Sequence, residues 1–333
     1  MRIVLIGATG HIGGYLVPML VEQGHEVVVV SRGQSRPYRD SPAWSEVSMV
    51  SADRAGEDDV AFAGRVAGLG ADVVVDLICF TESSARAMRT ELEGRVSLLV
   101  HVGTIWVHGT LTEVPVTEAA PRHPWGSYGT QKAAIERYLL AESARTGFPV
   151  AIVHPGHISG PGWPVVNPQG TVDLKVWRRL AHGHELLLPG FGLETVHHVH
   201  AEDVAQLISL CIAHPERSAG EAFHAVSDRA LTLRGFAESA ASWFGMPAEL
   251  RFVTFEQFTE SLPEEFREAA FEHIARSHSV SIEKARRVLG YRPRHTSLQA
   301  VAEAVEWLRR EGRLGEDIPP VSPDAVGPFP PSP

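Results

Sequence analysis

Apolar residues in this chain come in short, nearly unbroken runs. Longer stretches between them carry apolar positions at every third or fourth residue. The runs fall at 3–6, 27–30, 47–50, 73–78, 98–102 and 150–153. An apolar run of that length without polar alternation reads as a strand buried on both faces. Stretches 12–21 and 131–141 have helical spacing, as do most of the other gaps. Buried parallel strands joined by helices make a doubly wound α/β sheet with right-handed crossovers. After Gly160 the regularity loosens, with Pro161, Pro164 and Pro168 interrupting it. One further strand is expected at 222–226. Leu298, Val301, Ala302, Val305 and Leu308 mark one face of a late helix. From 318 to 333 seven of sixteen residues are proline, which predicts an extended or disordered tail. No internal repeat is visible.

The first run leads straight into Gly7-Ala8-Thr9-Gly10-His11-Ile12-Gly13. A helix start offers free N–H groups and a positive dipole end, which suits a phosphate. Gly7 is expected to make the turn, Gly10 to let a ligand approach the backbone, and Gly13 to let the helix pack on the strand. The spacing is GxxGxxG rather than GxGxxG. With its strand and helix it implies a Rossmann-like dinucleotide-binding domain over 1–160. A smaller C-terminal substrate-binding lobe then spans 161–315, interleaved with further sheet elements, and 316–333 is the Pro-rich tail. The second strand ends at Ser31-Arg32-Gly33, where a carboxylate would favour NAD and an arginine NADP. No carboxylate stands there, and Arg36 and Arg39 follow Arg32, so NADP is the expected cofactor, with NAD as the alternative. Solvated surface arginines are the plainer explanation of the same residues.

Tyr128 and Lys132 form the second motif. Residues four apart share a helix face. A phenol with a pKa of about 10 must drop by roughly three units to act as a base at neutral pH. A nearby ammonium and an oxidised nicotinamide both push it that way. The chain has three lysines and five tyrosines, so chance alone predicts about 0.05 such pairs.

With these motifs the chain resembles the extended short-chain dehydrogenases/reductases, the NAD(P)-dependent epimerase/dehydratase-like proteins. The likeness runs from Met1 to about Arg310. It includes Gly7, Gly10 and Gly13; Thr104, five residues before Gly109; Tyr128 and Lys132; His154-Pro155-Gly156-His157-Ile158-Ser159-Gly160-Pro161-Gly162; and His200-Ala201-Glu202-Asp203-Val204-Ala205. The resemblance implies Tyr128 as proton donor or acceptor. Lys132 would hold the nicotinamide ribose and lower the tyrosine's pKa, and Thr104 would orient the substrate oxygen. It also implies cofactor contacts at Thr9, His11, Ile12, Arg32, Asp53, Leu77, Cys79, Pro155, His157 and Ile158. Asp53 is equally explained as a turn cap, and Cys79 as a small packing residue.

Departures from the family pattern narrow the substrate. Ile105-Trp106 stand where sugar-nucleotide dehydratases carry an acidic pair, so no local carboxylate serves as the extra acid and base. His157 replaces the usual Asn of the epimerases. Glu194-Thr195-Val196-His197-His198 replaces their Arg-Asp stretch, weakening any grip on a nucleoside diphosphate. A small carbonyl or alcohol is the expected substrate, with Phe80, Trp106, Trp125 and Trp163 as candidate walls. Lys175, Arg178 and Arg179 are candidate anion binders, although a solvated helix face explains them as well. His197-His198-x-His200 has a metal-like look, but no Cys or HExxH completes a set, and no metal is expected.

Composition sets outer limits. At 333 residues and 44% hydrophobic the chain can bury a large core. A net charge of −10 disfavours nucleic acid and anionic membranes as partners. Cys79 and Cys211 give no disulfide framework, no apolar run reaches 18 residues, and no leader pattern precedes the first strand. A cytoplasmic protein, possible as a homodimer, is the expectation. The same three residues serve a reductase or an epimerase. A third reading is a sensor that binds cofactor without catalysis.

Overall fold

The computed structural model describes residues 1–34 and 36–327. Its centre is a seven-stranded sheet in which every pairing is parallel. The first six strands are β1 (Arg2–Ile6), β2 (Glu26–Ser31), β3 (Ser48–Ser51), β4 (Val73–Asp76), β5 (Leu98–Val102) and β6 (Val150–Pro155). The strand Glu221–Ala225 lies outside β6, and the spatial order continues β6, β5, β4, β1, β2, β3. The expected strand at 222–226 is therefore the sheet's seventh member.

Both faces of the sheet are covered, which explains the unbroken apolar runs. Ile3, Leu5, Val27, Val29, Val73 and Val75 point to one side, against α1 (Gly13–Glu22) and the helix Ala201–Ala213. Val4, Ile6, Val28, Val30 and Val74 point to the other. There they meet α2 (Asp59–Ala67), α3 (Glu82–Leu92) and α4 (Ser127–Thr146). A third core around Trp177, Phe236, Trp243, Val305 and Leu308 belongs to the C-terminal lobe.

Strand order reverses between β1 and β4, where chain crossovers diverge to opposite edges and leave a crevice. β4 ends two residues earlier than the apolar run predicts. Leu77 still donates its N–H to Ile6 O at 3.2 Å, but Leu77 and Ile78 then turn onto the rim of that crevice. α4 starts four residues before the predicted 131. Gly126, at φ +72°, turns the chain sharply into it, and the left-handed Gly147 closes it.

Within the described residues, the first part of the expected extended or disordered tail is packed against the lobe. Leu314, Ile318 and Val321 are buried in the third core, Ser322 donates its N–H to Trp243 O at 2.9 Å, and Pro323–Val326 makes a helical turn. Proline removes backbone donors but leaves the interspersed aliphatic side chains free to pack. The remainder of the tail, 328–333, lies outside the described residues. No described helix is long and apolar enough to cross a membrane.

Candidate active site

Two adjoining cavities open at the carboxyl ends of the strands. The larger, about 840 Å³, is lined by Gly7, Thr9, Gly10, Arg32, Asp53 and Phe80, among others. The smaller, about 460 Å³, is lined by His11, Ile12, Leu77, Thr104, Trp106, Tyr128, His157 and Ile158, with His273 from the distant helix Glu264–Arg276. Gly7, Gly10, Ile78 and Trp163 wall both, so the two form one continuous cleft over the glycine turn.

Each glycine has its own reason. Gly7 sits at φ +82°, and a Cβ there would fall 2.6 Å from Ile78 Cγ2. A Cβ on Gly13 would fall 1.8 Å from Ala8 O, so α1 packs directly on the turn. Around Gly10 nothing lies closer than Gly7 O at 3.5 Å; a side chain there would simply fill the cradle. A bare turn at a helix start, bordering a long cleft, fits a dinucleotide.

Arg32 lines the larger cavity, and the β2 end carries no carboxylate beside it. Arg36 is exposed outside the cavity lining, and Arg39 sits 4.8 Å over the Tyr15 ring instead. The sequence did not reveal that Arg54, largely covered, pairs with the buried Asp76 on this side, with Arg54 Nη1 2.7 and 2.8 Å from the two carboxylate oxygens. Burial opposes the Arg54 charge, but Asp76 outweighs it and holds the guanidinium above its ordinary value. Arg54 Nε and Nη2 keep no hydrogen-bond partner.

At the other end of the cleft, β5 finishes at Gly103-Thr104. Thr104 is buried, adopts an extended backbone and caps a 3-10 turn by accepting the Trp106 N–H on Oγ1 at 3.3 Å. Tyr128, in the first turn of α4, stands edge-on to Trp106 with ring centroids 5.7 Å apart. Lys132 is buried one helical turn on, its Nζ donating to Cys79 O and Val102 O, both at 2.7 Å. That nitrogen lies 4.9 Å from the Phe80 ring and 5.9 Å from the Tyr128 ring. Burial pulls the Lys132 pKa down to about 8. The Tyr128 pKa moves up, not down: desolvation in the cleft raises it, and a hydrogen bond with Thr104 only partly offsets this. The protein's own groups therefore do not produce the expected drop in the phenol's pKa.

A buried chain of hydrogen bonds and one close imidazole–carboxylate approach sets the spacing of these groups. Thr104 donates its backbone N–H to His154 Nδ1 at 3.0 Å. His154 Nε2 lies 3.1 Å from Glu136, which Arg122 grips with two N–H groups at 3.0 and 2.7 Å. Glu136 is one turn beyond Lys132 on α4, so the chain ties that helix to the ends of β5 and β6. A Cβ on Gly103 would fall 2.4 Å from His154 Nδ1, which is why glycine precedes Thr104.

Several expected contacts lie elsewhere. Cys79 contributes its carbonyl to Lys132, but its thiol is buried away from both cavities, and burial pushes its pKa up to about 12. Pro155 and Gly13 are buried outside the cavity lining. Trp125 stands behind the wall, not in it. The Arg276 guanidinium is sandwiched between Trp125 at 3.6 Å and Trp106 at 3.8 Å. Lys175 and Arg178 are exposed on the helix Lys175–Ala181, away from both cavities, with Arg178 near Gly315 and Arg179 bonded to Glu185 O. The helical spacing was right, but the charged face looks outward.

His198 and His200 do not act as a pair. His198 meets Ser159 Oγ at 2.9 Å, while His200 stacks on His295 and reaches Glu303 at 3.0 Å. His200 Nδ1 accepts the Glu202 N–H, and His200, His295 and Glu303 bring one ligand atom each within 4.8 Å of one another.

Comparison with known proteins agrees with this geometry. The model of the NAD dependent epimerase/dehydratase family matches residues 3–225. A 2'-dehydrokanamycin reductase of Streptomyces kanamyceticus is 27% identical over 95% of this chain and 87% of its own length. A UDP-glucose 4-epimerase of Mycolicibacterium smegmatis is 24% identical, covering 94% and 100%. Among solved structures, a UDP-glucose 4-epimerase of Thermotoga maritima superimposes with a TM-score of 0.72 at 19% identity, covering 93% of this chain and 99% of that one. A dTDP-glucose 4,6-dehydratase of Bacillus anthracis in complex with NAD gives 0.72 at 18% identity, covering 95% and 99%. The chain belongs to the NAD dependent epimerase/dehydratase family, within the extended short-chain dehydrogenases/reductases, and is an enzyme of that nicotinamide-dependent class.

Proposed function

We propose that the protein is an NADP-dependent reductase of small carbonyl compounds, running in reverse as an alcohol dehydrogenase. The observation that carries this reading is the meeting of Thr104 and Tyr128 in a cavity that opens onto the Gly7–Gly10 turn, with Lys132 beside the Tyr128 ring. Gly7, Gly10 and the start of α1 would hold the pyrophosphate, and Arg32 the 2'-phosphate. Bound NADPH would supply the hydride.

The protein's residues manage the proton. A phenol whose pKa is raised stays protonated at neutral pH and is ready to donate to a carbonyl oxygen, which favours the reductive direction. Thr104 orients that oxygen. Lys132 has three N–H donors, of which two are taken by Cys79 O and Val102 O, leaving one for the nicotinamide ribose. Among the relatives, the one named a reductase supports net reduction. Epimerase relatives keep a second reading open, in which hydride leaves and returns to the opposite face.

The test is nicotinamide absorbance with a panel of ketones and aldehydes. Net oxidation of NADPH is expected, and isomer interconversion without net change would favour the epimerase. Tyr128→Phe should bind NADPH normally and lose about 10²–10⁴-fold in turnover. Turnover at the native rate in that variant would remove the tyrosine from its role.

A further inference from the structure

The smaller cavity is unusual in what its wall omits. Its lining residues include no Lys, Arg, Asp or Glu. Trp106, Trp163, Ile158, Val166 and Val172 supply flat and aliphatic surface. A phosphate or carboxylate entering here would lose its hydration and meet no cation in the lining itself; Lys132 and Arg276 lie behind Tyr128 and Trp106, engaged with backbone carbonyls and indole rings.

The polar groups beyond Thr104 and Tyr128 are imidazoles. His273 donates from Nδ1 to Gly170 O at 2.7 Å; a carbonyl can only accept, so Nδ1 holds the hydrogen. With the hydrogen on Nδ1, the neutral ring keeps its lone pair on Nε2, and the ring lines the smaller cavity. Burial lowers the His273 pKa, so the ring stays neutral and the lone pair stays available. His157 packs edge-on behind it at 5.0 Å, and its own Nδ1 faces His197 O. One indole links the two ends of the site: Trp106 touches the Tyr128 ring at 5.7 Å and the His273 ring at 5.3 Å. A six-membered ring laid across that indole presents one edge to the phenol and another to the imidazole.

We propose that this site selects a monocyclic ketone bearing hydroxyl or amine groups and no phosphate, with His273 Nε2 accepting a hydrogen bond from one of those groups. His273 is then a specificity-determining residue contributed by the C-terminal lobe. The proposal rests on the reductase reading and names its substrate class. In the reaction the carbonyl carbon gains a hydride from NADPH, which leaves as NADP⁺, and the carbonyl oxygen takes the Tyr128 proton to give the ring alcohol. Solvent reprotonates the phenolate.

The experiment follows NADPH oxidation with cyclohexanone, its α-hydroxy derivative, a pentahydroxycyclohexanone and a nucleotide-linked ketohexose. Hydroxylated rings are expected to exceed cyclohexanone in kcat/KM by about 10- to 100-fold, the range for one satisfied buried acceptor. His273→Leu should collapse that ratio, and His273→Gln, which keeps an acceptor oxygen, should restore part of it. NADPH affinity and melting temperature serve as folding controls for both variants. A ratio near one in the native protein overturns the proposal, as does a ratio unchanged in His273→Leu or a preference for the nucleotide-linked sugar. Failure to oxidise NADPH with any ketone, despite saturable NADPH binding, overturns the reductase reading itself.

Discussion

The two halves of the cleft solve opposite electrostatic problems. The larger cavity is lined by Arg32, Arg54, Asp53, Glu57 and Asp59, with Arg54 locked onto Asp76 beneath it. Its charges are paired or near solvent, and it suits a ligand that is itself charged. The smaller cavity holds no formal charge in its lining and is built from aromatic rings, aliphatic groups and imidazoles. Burial keeps those imidazoles neutral. On the proposed reading, one end of the groove takes the nucleotide and the other an uncharged reacting centre. Cofactor and substrate would then be read by different means: by charge and bare backbone at one end, by shape and a few lone pairs at the other.

Acid provides the harshest test of that contrast. Burial lowers His11 and His197 to about 4 and His198, His278 and His108 to about 3, and holds His157 and His224 well below the ordinary value. The unfolded chain binds those protons near pH 6.5, so between 6.5 and the folded values it takes up more than the native state does. Stability therefore falls as pH drops through this window, by up to about 1.4 kcal/mol per pH unit for each histidine kept neutral. Two such residues acting fully would remove about 4 kcal/mol by pH 5, a large share of the 5–15 kcal/mol typical of a native protein. Carboxylates held low by ion pairs, Glu136 among them, weaken the fold only below their unfolded values near 4.5. Urea unfolding at pH 7, 6 and 5 separates the two. Equal midpoints over that range would mean that these histidines are not held neutral by the fold.

At the charged end, Arg32→Glu should sharpen the contrast from the other side. Removing a guanidinium from a phosphate and adding a carboxylate should weaken NADPH binding by about 10- to 100-fold, against little change for NADH. Fluorescence titration with both nucleotides reads this directly. Parallel loss of both would move Arg32 from phosphate recognition to a structural role.

How far the sequence led differs between the same two halves. The sheet, its α helices and the glycine turn were legible because local patterns specify them: period, turn chemistry and spacing act within ten residues. Thr104, Tyr128 and Lys132 were read from motifs; Thr104 and Tyr128 line the smaller cavity, while Lys132 is buried one helical turn on and lines neither. His273 was not found, because it enters from a helix 145 residues beyond Tyr128, and no local signal in Glu264–Arg276 marks its direction. The Arg54–Asp76 pair was missed for a related reason. Asp76 closes an apolar strand and looks like a strand end until the loop after β3 delivers Arg54 onto it. Trp125 was misplaced by the converse error, since aromatic character identifies packing surface but not which side of a wall it occupies.

The smallest expected effect concerns Lys175 and Arg178. Positive charge after a proline-rich segment invites the idea of a substrate phosphate clamp, and such a clamp would contradict a charge-free reacting centre. Both side chains are exposed on a helix whose buried face, Val176, Trp177 and Leu180, packs into the third core. Their charges are screened by solvent and separated from the smaller cavity by the lobe itself, so they exert little field on the reacting ring. The double change Lys175→Ala, Arg178→Ala should leave kcat/KM for an active ketone within about twofold and the melting temperature nearly unmoved, as surface substitutions usually do. A tenfold or larger rise in KM, weakened further by salt, would put a cation within reach of the substrate and require the lobe to close over the cleft during turnover. In that case the smaller cavity would be charge-free only while open, and the division between the two halves would describe a resting state and not the reacting one.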